Sequence, residues 1–175
     1  EWMKLGTPGT EHAEICKNVG NWEAKMKHWL APGMPPGEMT GSSTIKSIFD
    51  GRYVVEDFQG TTPMGPFTGT GLLGYDNARK EYFSTWIDSM STGIMILRGT
   101  ADATGKIVTF TGEVVGPGGK TVKMRTVATT IDDNSHTFEM FETKGGAPEF
   151  KSMEMTYTRT KQRQRPRGPS GGPGG

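Results

Sequence analysis

Glu113, Arg125, Glu139 and Glu154 are the residues of this sequence best suited to chemistry inside a fold. An arginine withdrawn from water needs carboxylate partners, and three glutamates could supply them. On solvated strands the same four residues would be exposed cross-strand ion pairs, and both readings stand at the level of sequence. Tyr157 and Arg159, two positions apart, could orient a bound molecule by hydrogen bonding or charge. Trp22, Tyr75, Phe83, Trp86 and Phe138 could wall a small-molecule pocket or simply pack a core. The chain also carries 11 methionines, Met90, Met95, Met124, Met140, Met153 and Met155 among them. Flexible thioethers suit an adaptable apolar cavity as well as irregular core filling.

Signatures of catalysis are missing. There is no Gly-Lys-Ser/Thr phosphate loop, no HExxH helix and no Gly-x-Ser-x-Gly elbow. His12, His28 and His136 fall in three separate elements without ligand spacing, and the single cysteine, Cys16, leaves no Cys cluster for a metal. Thr68-Gly69-Thr70-Gly71 resembles a phosphate loop in composition alone, because no helix follows it. Ser89 and Ser91 have no assignable base, and Asp88 reads as the cap of a turn. No catalytic residue, metal or cofactor is therefore expected.

The elements that position these residues announce themselves by a period of two. From Trp22 to Leu30, apolar Trp22, Ala24 and Met26 alternate with charged Glu23, Lys25 and Lys27. Further strands are predicted at 39–49, 52–59, 67–75, 81–87, 94–102, 106–114, 121–130, 137–142 and 150–159. Asp50-Gly51 between alternating segments is a strong hairpin signal, and Asp76-Asn77, Thr104-Gly105, residues 116–119, 132–134 and 144–146 supply further turns. Pro32, Pro35 and Pro36 force a loop over 31–37. Ahead of the strands, Thr10 could cap a short helix that carries Ile15 and Val19 on one face and ends at Gly20. The expectation is an all-β chain: about ten antiparallel strands in an up-and-down barrel, residues 21–160, behind an N-terminal arm and helix, 1–20.

Composition agrees. At 175 residues one domain with a sizeable core is expected, and 26 glycines favour turn-rich β structure over helices. A net charge of +1 gives no global field for nucleic acid. No apolar run approaches the ~20 residues that span a bilayer as a helix. One cysteine favours the cytoplasm, while secretion after removal of a signal peptide stays open. Residues 161–175 form a basic Gly/Pro-rich tail, expected to be flexible in isolation, whose Arg163, Arg165 and Arg167 could meet a protein partner or a second copy. No aromatic residue interleaves with those charges, which argues against nucleic acid.

Several stretches carry a family resemblance when taken in order. They are TPGTEH at 7–12, VGNW at 19–22, GRYVVED at 51–57, GYDN at 74–77, TWIDSM at 85–90, TGE at 111–113 and MEMTYTR at 153–159. With these the chain resembles a bacterial family of domains of unknown function, number 1579. The resemblance implies a calycin-like barrel, similar to lipocalins and fatty-acid-binding proteins, and it implies no established activity. The expected function is non-enzymatic binding of a small, largely apolar ligand in the barrel by Trp22, Tyr75, Trp86, Glu113, Arg125, Glu139, Tyr157 and Arg159. The alternative is an accessory subunit that docks through an outer sheet face and the tail.

Overall fold

The structure, a computed structural model, describes residues 1–161. One four-residue helical turn, α1 (Trp2–Leu5), precedes a short helix, α2 (Thr10–Cys16). Ten strands follow: β1 (Gly20–His28), β2 (Gly37–Ile48), β3 (Tyr53–Thr62), β4 (Gly65–Asp76), β5 (Glu81–Asp88), β6 (Met95–Ala101), β7 (Ile107–Val115), β8 (Thr121–Asp132), β9 (Ser135–Lys144) and β10 (Phe150–Arg159). A 3-10 turn at Pro117–Gly119 interrupts the link between β7 and β8. Each strand pairs antiparallel with its neighbours in sequence, and β10 returns to β1 to close the barrel. The closing register sets Trp22 opposite Arg159, Ala24 opposite Tyr157 and Met26 opposite Met155. Closure leaves no unpaired sheet edge, which is the structural reward of this topology.

Local chemistry explains the bends. Phe49, Asp50 and Gly51 all have positive φ, so the turn predicted at Asp50-Gly51 begins one residue earlier. Gly20 has a φ of +142°, which side-chain-bearing residues rarely adopt, and a Cβ there would lie 2.5 Å from Arg159 Nη1. The helix departs from expectation at both ends. Gly9, not Thr10, is the N-cap residue, and its amide is held by His12 Nδ1 at 3.0 Å rather than by a hydroxyl. At the other end α2 stops at Cys16, leaving Gly20 to open β1.

Inward-facing residues make one core. Trp22, Ala24, Met26, Ile45, Val54, Phe58, Tyr82, Leu97, Phe110, Met124, Met155 and Tyr157 are all buried there. Ile15 reaches into the same core from α2, which therefore lids one end of the barrel. Trp22 Nε1 donates to the Asn18 carbonyl at 2.8 Å, and His12 Nε2 lies 3.1 Å from the Tyr75 carbonyl, tying the lid to β1 and β4. Among the described residues no helix is long and apolar enough to cross a membrane.

Close approach of strands is visible at Gly99 on β6. A Cβ there would collide with the Thr109 carbonyl and lie 2.8 Å from the Phe110 Cα, both backbone atoms. Gly99→Ala must therefore move β6 away from β7, and a loss of about 1–3 kcal/mol is expected. Urea unfolding would show it as a lower midpoint; an unchanged midpoint would mean that the two strands separate freely.

Candidate functional site

Strand register divides the barrel wall into two faces. The inner face near the lid is aromatic: Trp22, Tyr75, Tyr82, Phe110 and Tyr157 gather beneath α2. Toward the opposite end it turns to sulfur. Met26 pairs with both Met39 and Met155, Met153 pairs with Met140, and Met124 and Met95 complete the lining. Phe58, Phe67 and Trp86 share this half, with Phe58 lying edge-on to both of the others. Seven of the 11 methionines thus face the interior.

A polar cluster sits between the halves. Glu56 of β3 has the same inward parity as Val54 and Phe58, which is unusual for a carboxylate. Ser43 donates to Glu56 Oε1 at 2.6 Å, and Tyr157 donates to the same oxygen at 3.2 Å. Burial raises the Glu56 pKa, while these two hydrogen bonds pull it down. Burial also pushes the Tyr157 phenol well above its ordinary value, with the Glu56 charge acting in the same direction. His136 stacks on the Tyr157 ring at 4.4 Å and meets Trp22 edge-on at 4.4 Å. Its Nδ1 is buried with no hydrogen-bond partner, and its pKa is lowered to about 4, first by burial and then by the positive charge of Arg159.

Arg159 belongs to the lid. Its guanidinium lies 4.3 Å over the Trp22 ring and donates to the carbonyls of Val19, Lys17 and Asp133. Those bonds join the end of β10 to the segment after α2 and to the β8–β9 turn. A cavity of about 80 Å³ opens beside this assembly, lined by Ile15, Asn18, Leu73, Tyr82, Phe110, Ala128 and His136 among others. Pockets for drug-sized ligands run to roughly 300–1,000 Å³, so a larger guest would have to displace side chains.

Trp22, Tyr75, Trp86, Tyr157 and Arg159 all have inward parity. Glu113, Arg125 and Glu139 do not, and the internal Arg–Glu cluster is replaced by surface ion pairs. Arg125 makes a bidentate contact with Glu149 at 3.1 and 2.7 Å and lies 4.0 Å over Phe141. Glu139 pairs with Lys151, which also meets Glu154 at 3.1 Å. Glu113 is exposed opposite Lys123. The reason is parity: their strand neighbours Gly112, Met124, Phe138 and Met140 take the inner positions. Phe83 likewise faces outward, because Tyr82 faces in. Asp88 is a turn cap, accepting from Trp86 Nε1 and the Met90 amide at 2.9 Å each. Among the described residues no three His, Cys, Asp or Glu side chains are grouped to hold a metal. Arg163, Arg165 and Arg167 lie outside the described residues.

Glu56 and Ser43 are the residues sequence reasoning missed. Their signal was parity: Val54, Glu56 and Phe58 alternate on β3, as Met39, Gly41, Ser43 and Ile45 do on β2.

Fold and site together define a closed ten-stranded antiparallel barrel with a helical lid and a polar cluster in its packed interior. Residues 7–159 match the family described as "Protein of unknown function (DUF1579)", and the chain belongs to that family. The crystal structure of Rv2717c from M. tuberculosis is similar at a TM-score of 0.62 and 15% identity, covering 89% of this chain and 100% of that one. Two further structures share less. A redesigned beta barrel, b11L5F_LGL, gives a TM-score of 0.44 at 14% identity over 83% of this chain and 93% of its own. EF1p2_mFAP2b bound to DFHBI gives 0.48 at 11% identity over 87% and 100%. No curated protein matches the sequence.

Proposed function

We propose that this protein binds a small, largely apolar molecule inside the barrel, in the methionine-lined half, with its polar end against Glu56 and Tyr157. The observation that carries the reading is the placement of seven inward methionines beside an inward-facing, half-buried carboxyl group. Unbranched thioether side chains can change rotamer at little cost, so a packed interior of this composition can yield to a guest where one of valine and isoleucine would resist. Ser43 and Tyr157 both spend their protons on Oε1. That leaves Oε2 to meet the guest. Ionised, Oε2 accepts from a hydroxyl of the guest; protonated, the form that burial favours, it donates to a carbonyl or carboxylate oxygen.

Calorimetric titration with decanoic acid and with all-trans-retinol tests the reading. Saturable binding of at least one probe is expected, weakened roughly tenfold in Glu56→Leu, the scale of one lost buried hydrogen bond to a charged or strongly polar group. Absence of heat and of displacement for both probes would overturn it.

A further inference from the structure

The outer wall carries a second built feature that lumenal binding does not use. Across four adjacent strands the register sets Tyr53, Gly74, Phe83 and Arg98 side by side on the outside of the barrel. Gly74 lacks the side chain that would keep its neighbours apart. A Cβ there would lie 2.5 Å from Phe83 Cζ and 2.8 Å from Tyr53 Cδ1, so both rings fold inward over the glycine. Their centroids stand 6.1 Å apart at an interplanar angle of 59°, forming a shallow aromatic floor. Arg98 borders the floor on β6, and Arg52 borders it from the turn just before β3.

The N-terminal arm walls this floor into a cleft of about 420 Å³. Asn77 Nδ2 donates to the carbonyls of Leu5 and Thr7 at 2.9 Å each, and Arg52 Nε donates to the Gly6 carbonyl at 3.0 Å. The arm is therefore fixed in place by side chains of the cleft itself. Both guanidinium groups keep donors in hand: Arg98 engages Glu81 through Nη1 alone at 2.8 Å, and Arg52 uses Nε and Nη1, the latter to the Phe49 carbonyl. Two of the acids nearby already have an arginine partner. Asp76 is held by Arg79 at 3.0 Å, and Glu81 is shared between Arg98 and Arg79.

We propose that this cleft binds a small organic anion with a flat aromatic body, such as an aryl carboxylate or aryl sulfonate. The rings of Tyr53 and Phe83 supply the apolar face against which a planar group stacks. Arg52 and Arg98, at opposite edges, offer planar donor forks suited to a carboxylate or sulfonate. The volume falls within the range of small-molecule sites, unlike the cavity beneath the lid. Inorganic anions alone would leave the aromatic floor unused, and a neutral aromatic would leave both arginines unused.

The test is an amide-resolved NMR titration of the full chain with naphthalene-1-sulfonate. Shifts are expected to cluster at Leu5, Gly6, Tyr53, Asn77, Phe83 and Arg98, away from the methionine-lined interior. Arg98→Met, which retains the stem and frees a Glu81 still faced by Arg79, should weaken binding at least tenfold. The neutral isostere 1-naphthol should bind the wild-type chain at least tenfold more weakly than the sulfonate. Shifts confined to the barrel interior, shifts scattered over the surface, or equal affinity for 1-naphthol would overturn the proposal. The wild-type map and the isostere comparison decide the matter even if the variant misfolds, and they are independent of whether the lumen binds decanoic acid.

Discussion

Trp22→Ala is expected to remove about 3–5 kcal/mol of folding stability, the range for truncating a large buried aromatic side chain. Trp22 is 1% exposed, and three parts of the molecule converge on its ring. Its indole N–H satisfies the Asn18 carbonyl, His136 packs edge-on against it, and the Arg159 guanidinium covers it at 4.3 Å. Truncation would leave a void in the core, an unpaired carbonyl in the lid linker and a guanidinium without its aromatic surface. Because domains of this size have only about 5–15 kcal/mol of stability, the variant is expected to lose from about a fifth to all of it. Urea unfolding of the wild type, Trp22→Ala and Trp22→Phe would measure the effect, with Trp22→Phe falling between. A loss below about 1 kcal/mol for the alanine variant would mean that the lid is not coupled to the barrel through this residue.

The second large effect is on acid stability. His136 has its pKa lowered to about 4 in the folded protein from an ordinary 6.5. Between those values the unfolded chain binds a proton that the folded chain excludes, so stability rises with pH across the window. Expressed the other way, the contribution is full above pH 6.5 and is lost as pH falls toward 4, amounting to about 3 kcal/mol at 1.36 kcal/mol per pH unit. Glu56 acts with the opposite sign. Its folded pKa is raised above 4.5, so its contribution is present below that value and declines as pH rises through the folded pKa. His136→Phe preserves a ring to stack on Tyr157 and removes the titrating group. The difference in unfolding free energy between wild type and this variant should change with pH between 6.5 and 4; a difference that stays constant would show that His136 is solvated.

Much of the fold was legible because alternation in β1 is nearly ideal. Charged Glu23, Lys25 and Lys27 on one face of β1 leave no doubt about Trp22, Ala24 and Met26 on the other. The site was less legible for two physical reasons. On β9 both faces carry apolar residues: Phe138 and Met140 point inward, while Phe141 lies outside beneath Arg125 and Lys151. Hydrophobic contrast therefore could not tell which face Glu139 shares. On β10 a bulge between Lys151 and Met153 breaks the period, so Lys151 leaves the face of Met153 and joins the outer ion pairs. The Glu56–Tyr157 contact spans 101 residues of sequence, a pairing that barrel closure creates and local pattern does not contain.

Methionine methyl groups offer the most direct test of a lumen that yields to a guest. With every methionine carrying a 13C methyl, the full chain would be titrated to saturation with decanoic acid and followed by two-dimensional NMR. Met26, Met39, Met124, Met140, Met153 and Met155 should shift together, while exposed Met3, Met34, Met64 and Met90 stay in place. Stationary lumenal methyls at saturation, or movement limited to the four exposed ones, would contradict binding inside the barrel.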